Sequence, residues 1–146
     1  MGYFSSLDVS ASGMSAQRMR MDLISQNIAN ANTTRTQDGT PYRRQTLLLG
    51  TNVNSTFSNH LTGAAKDMLQ DGKVKIQGIV EDQSDFKRVY EPDNPEADEE
   101  GYVLYPNVDI VTEMVDMISA SRSYEANVTA STASKNMAMQ ALNIGR

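Results

Sequence analysis

Apolar positions in residues 5–31 and 108–144 recur at about seven-residue intervals, and neither stretch contains a proline. In the first, Leu7, Met14, Met21 and Ile28 stand seven apart, with Ala11, Ile24 and Ala31 filling between them. In the second, Ile110, Met114, Met117, Ser121, Tyr124, Val128, Ser131, Ala138 and Leu142 form a three-four stripe. Val111, Val115 and Ile118 widen its first turns. The spacing predicts two amphipathic helices whose seams each face a partner. Both seams are imperfect, with Arg18 and Ser25 in one and Lys135 in the other. At 1.5 Å per residue the second helix would be roughly 55 Å long, more than a domain of this size can enclose. Ser5 followed by Asp8 predicts a capping box for the first helix, Asn107 a cap for the second, and Gly145 a terminator.

The middle obeys other rules. All four prolines, six of nine glycines and six of nine aromatic residues lie between 39 and 106. Residues 32–41 (NTTRTQDGTP) are turn chemistry, and 42–49 (YRRQTLLL) read as a strand. Residues 50–72 are polar and aperiodic, a long surface loop. Residues 74–80, 86–90 and 102–105 supply further short strands, separated by the proline- and acid-rich turn 91–101. The predicted fold is α+β. An N-terminal core helix (1–33) and a C-terminal core helix (107–146) form a coiled-coil-like core. Between them lies a small β-rich middle domain (34–106) with one sheet of three or four strands.

Composition narrows the functional classes. The 146 residues carry a net charge of −5, but 81–100 hold nine acids against Lys87 and Arg88. With no clustered Lys/Arg stripe, nucleic-acid binding is not expected. There is no cysteine, so disulfides and thiol sites are excluded. No apolar run approaches the ~20 residues that span a bilayer. The first residues also lack the basic and apolar regions of a cleavable signal.

Candidate chemistry is sparse. His60 is the single histidine and has no companion for a zinc site. The cluster Asp93, Glu96, Asp98, Glu99 and Glu100 does not follow the ligand pattern of an EF-hand and is expected to be a solvated loop. No phosphate loop or nucleophile elbow is present, so neither an enzyme nor a metal or cofactor site is expected. Seven of nine methionines lie in the helical stretches. They are either core filling or adaptable contacts to non-identical neighbours. Asn27, Asn30 and Asn32 either simply end the first helix or bridge to backbone and facing helix to lock register.

The run Ser25-Gln26-Asn27-Ile28-Ala29-Asn30-Ala31-Asn32-Thr33 resembles the N-terminal signature of bacterial flagellar rod and hook proteins. Glu113-Met114-Val115-Asp116-Met117-Ile118 and Arg122-Ser123-Tyr124-Glu125-Ala126-Asn127 resemble that family's C-terminal motif. Gly78-Ile79-Val80-Glu81-Asp82, Val89-Tyr90-Glu91-Pro92 and the run 98–109 are similar to its proximal rod members. The resemblance implies a structural subunit exported unprocessed through the flagellar type III apparatus and assembled in the periplasm. Its implied neighbours are copies of itself and the rod proteins FlgB, FlgF and FliE. It would assemble through Leu7, Met14, Met21, Ile28, Ile110, Met114, Met117, Ile118, Val128 and Leu142 into a hollow, torque-transmitting driveshaft. Asn27, Asn30, Asn32, Arg122, Tyr124 and Asn127 carry over as register and junction residues. Alternatives are another rod or hook-junction subunit, a soluble helical adaptor or a carboxylate hydrolase; the short middle favours the proximal rod.

Overall fold

A computed structural model describes residues 3–51 and 72–144. Two long helices flank four short strands, in the order α1 (Tyr3–Ala29), β1 (Gln45–Thr51), β2 (Val74–Glu81), β3 (Lys87–Tyr90), β4 (Tyr102–Tyr105) and α2 (Ile110–Ile144). The α+β expectation holds. His60 and most of the 50–72 loop lie outside the described residues, as does Gly145.

Helix starts differ from those expected. The first turn of α1 already includes Ser5, so no capping box with Asp8 opens the helix. Asp8 instead pairs with Lys73 at 3.1 Å, and Ser12 Oγ accepts a hydrogen bond from Val74 N at 3.2 Å, anchoring the start of β2 on α1. The cap of α2 is Asp109 and not Asn107: Asp109 Oδ1 accepts from Val111 N at 2.9 Å and Thr112 N at 3.1 Å.

The strands form two separate antiparallel ribbons, β1–β2 and β3–β4, rather than one sheet. In the first, Gln45 pairs with Glu81 and Thr51 with Val74, with a bulge between Leu48 and Leu49. In the second, Lys87 pairs with Tyr105 and Tyr90 with Tyr102. Asn107 ends the first ribbon. Its Oδ1 accepts from Arg44 N at 2.8 Å and its Nδ2 donates to the Asp82 carbonyl at 3.0 Å, so a side chain takes up backbone groups where a ladder could continue. The second ribbon is tied by the Tyr90–Tyr102 edge contact at 5.3 Å and by Arg88 over the Tyr102 ring at 4.6 Å. Gly101 turns the loop at φ 82, and a Cβ there would stand 2.9 Å from the Tyr90 ring.

The helices run antiparallel. Asn27 of α1 meets Glu113 at the start of α2, and Gly13 lies against Asn127 fourteen residues further along each. The inner surface of α1 buries Ser10, Ala16, Leu23, Ile24 and Asn27, with Ala31 just past its end. On α2 only Glu113 and Ala120 are buried.

Candidate functional site: the helix junction and the exposed face

At the junction a strand, two helix ends and one side-chain amide converge. Asn27, 1% exposed, uses its whole hydrogen-bonding capacity. Its Nδ2 donates to the Gln45 carbonyl at 2.9 Å and to Glu113 Oε2 at 3.0 Å. Its Oδ1 accepts from Tyr42 Oη at 2.9 Å and from Gln45 N at 3.0 Å. The carboxamide therefore fixes β1 against α1 and ties both to α2.

Glu113 has no solvent exposure. Its charge is met by Arg44, whose Nε donates to Oε1 at 2.6 Å. The same guanidinium reaches Asp116 at 3.4 Å and Asp82 at 3.9 Å. One cation thus serves three carboxylates through its planar fork, a geometry lysine cannot copy. The preceding Arg43, also just ahead of β1, lies 4.3 Å over the Phe86 ring and donates to the Asp82 carbonyl.

Titration follows this arrangement. Burial, then the nearby Glu113 and Glu81 charges, holds the Tyr42 phenol above its ordinary value. The Ser84 backbone N–H donating to Asp82 at 2.9 Å holds that carboxyl below the usual range, helped by Arg44 and Arg43. Tyr105 is raised by burial and by its bond to Glu91.

The other motif residues spread out. Asn30 closes the end of α1, donating to the Gln26 carbonyl at 2.9 Å and accepting from Thr33 Oγ1 at 3.2 Å. Ala31 is buried, while Ser25, Ala29 and Asn32 are exposed. Asn32 borders an open groove of about 700 Å³ with Val89, Tyr105, Pro106 and Val111. On α2, Arg122, Glu125 and Ala126 are exposed and Tyr124 is half-buried. Asn127 donates to the Ser123 carbonyl at 2.8 Å. Of this set only Asn27 reaches the junction. Of the residues that complete it, Glu113 enters the sequence reading only as part of the run 113–118, and Arg44 and Tyr42 are not singled out. The adjacent arginines just ahead of β1 and a glutamate in an apolar helix turn are the available signals, and both are weak alone.

The seam residues fall into two groups. Leu7, Met14, Met21, Ile28 and Met117 are half-buried; Ile110, Met114, Ile118, Val128 and Leu142 are exposed. With Val111 at 71%, Val115 at 60%, Met114 at 55% and Ile118 at 53% exposure, the first turns of α2 present a continuous apolar face. The acidic loop is knit locally, Asp98 accepting from Glu100 N and Tyr102 N and pairing with Arg88.

Two sequence families match this chain. Residues 7–36 match the family described as flagella basal body rod protein. Residues 99–144 match the flagellar basal body rod FlgEFG protein C-terminal family. The flagellar basal-body rod protein FlgC of Bacillus subtilis is 47% identical over 150 residues, covering 98% of each chain. That of Borreliella burgdorferi is 46% identical over 151 residues, covering 99% of this chain and 98% of its own. That of Escherichia coli O157:H7 is 40% identical over 139 residues, covering 95% of each.

Proposed function

This chain belongs to the FlgC family of flagellar basal-body rod proteins, and on that premise we propose that it builds the proximal rod by packing its terminal helices against those of neighbouring subunits. It is a structural subunit of the flagellar basal-body rod and associates there with other rod components. Its neighbours in this reading are further copies, FlgB, FlgF and FliE. The assembled helices wall a hollow shaft in the periplasm that transmits torque and passes exported proteins. The chain reaches it unprocessed through the type III export apparatus. Stiffness comes from many close-packed apolar contacts shared between long helices. The role is mechanical, with no catalytic step.

The observation that carries this reading is the apolar face Val111, Met114, Val115 and Ile118, still exposed after α1 and α2 have paired. Burying a side chain of this class stabilises by about 1.5–3 kcal/mol, so four of them at each contact supply a driving force of several kcal/mol. Ile118→Asp tests it. The variant is expected to fold and be exported yet give no rods when basal bodies are imaged by electron microscopy. Normal rods containing the variant would refute the assignment.

A further inference from the structure

Two long helices that meet partly through small residues such as Gly13, Ala16 and Ala120 have a register problem. Sliding α2 past α1 by seven residues returns similar faces to contact, so apolar packing discriminates poorly between registers. Gly13 lies against Asn127 here, with an added Cβ only 3.0 Å from its Oδ1. A slip in either direction would set Gly13 opposite Ala120 or Ser134, two small residues seven positions away on the same side of α2.

The buried polar contacts are specific to one alignment. We propose that Glu113 is the register determinant of the helix pair, acting through Asn27 and Arg44 to select one alignment of α1 on α2. This rests on the rod reading only for its consequence: register decides which apolar residues of the two helices lie side by side on the outer surface. Glu113 is fully buried, and its two oxygens are met separately, Oε1 by Arg44 Nε and Oε2 by Asn27 Nδ2. In a slipped alignment both donors move roughly 10 Å along the helix axis. The carboxylate would then face Arg20, or pass the end of α1 near Thr34, while Arg44 and Asn27 would both lose their acceptor. Breaking this buried ion pair together with its amide bond disfavours those states by roughly a hundredfold or more. The Asn107 bonds to Arg44 N and Asp82 also join α2 to the ribbon, but they are only partly buried and water can replace them. They stabilise without discriminating strongly.

Engineered cysteine pairs read register directly, because the chain has no cysteine of its own. Gly13→Cys is combined with Asn127→Cys, with Ala120→Cys or with Ser134→Cys in the full-length protein. Cross-linking is then measured in a thiol–disulfide buffer, so that yields follow equilibrium populations. With Glu113 intact, the 13–127 pair should exceed each slipped pair by roughly a hundredfold. Arg44→Met with Glu113→Leu removes the polar grip on α2 while leaving every Asn27 bond to Gln45 and Tyr42. In that background the slipped pairs should rise to within about tenfold of the native pair. Glu113→Gln alone leaves one carbonyl acceptor and turns an NH2 on the other donor, so its preference for 13–127 cross-linking should fall between those of the parent and the double variant. An unchanged preference for 13–127 in the double variant would overturn the proposal. Loss of its helical circular-dichroism signal would also overturn it, since a register determinant is dispensable for pairing as such.

Discussion

Arg44 lies 2.6 Å from a carboxylate that no water reaches, and its removal is a different perturbation from the loss of a surface ion pair. Arg44→Met alone leaves Glu113 charged and buried. We expect a loss of about 3–5 kcal/mol in chemical denaturation, against 0–1 kcal/mol for Arg88, whose contacts to Asp98 and Glu100 are open to solvent. Arg44→Lys should recover only part of that loss, because one ammonium cannot span Glu113, Asp116 and Asp82. Tyr42 carries the pH signature of the junction. Its phenol is held above the ordinary value, so the folded state favours the neutral form. The resulting stability is complete below the ordinary phenol pKa and is lost as pH rises through the folded-state one. Ultraviolet titration of the phenols should therefore show a late-ionising fraction that shrinks in Tyr42→Phe. The remainder belongs to Tyr105, which is raised as well. Little of this was legible beforehand. Asn27 stands out through its neighbours in the motif, but Glu113 sits among Ile110, Met114 and Val115 and looks like the polar edge of an apolar turn. Burial of a charge depends on what packs over it, and that information lies in residues 42–45.

At the scale of elements, local chemistry was the more reliable guide. Proline-free stretches with seven-residue spacing became helices, and short β-branched and aromatic runs became strands. The ends moved by a few residues. Asp109 takes the role assigned to Asn107 because a side chain with a strand end in reach caps that instead. Asp109→Ala should accordingly cost about 1 kcal/mol of α2 stability, read as a lowered thermal midpoint by circular dichroism. Gly13 shows a second element-level compromise. A glycine inside a helix costs up to ~1 kcal/mol relative to alanine, yet here it admits the Asn127 side chain where a methyl group would be crowded. The joining of strands into two ribbons was not legible, because short strands of similar propensity do not specify their partners.

For the whole molecule the decisive fact is that each helix has one face spent on the other and further apolar residues left over. Ile118→Asp should change the stability of the isolated chain by no more than about 0.5 kcal/mol, because the side chain is already exposed. A much larger loss in denaturant titration would place Ile118 in an intramolecular core. The same substitution is expected to abolish rod assembly, and that contrast separates packing within a chain from packing between chains. Sequence alone determined the α+β class, the two long helices, the turn-rich middle and the motifs shared with rod proteins, all of which depend on residues near one another along the chain. Tertiary structure alone decided which stripe α1 turns toward α2. Ser10, Ala16, Leu23, Ile24 and Asn27 are buried while the seven-spaced Leu7, Met14, Met21 and Ile28 stay half-exposed. The reason is geometric: small residues let two backbones approach closely and an amide can satisfy groups from three elements. Neither advantage exists until those elements meet.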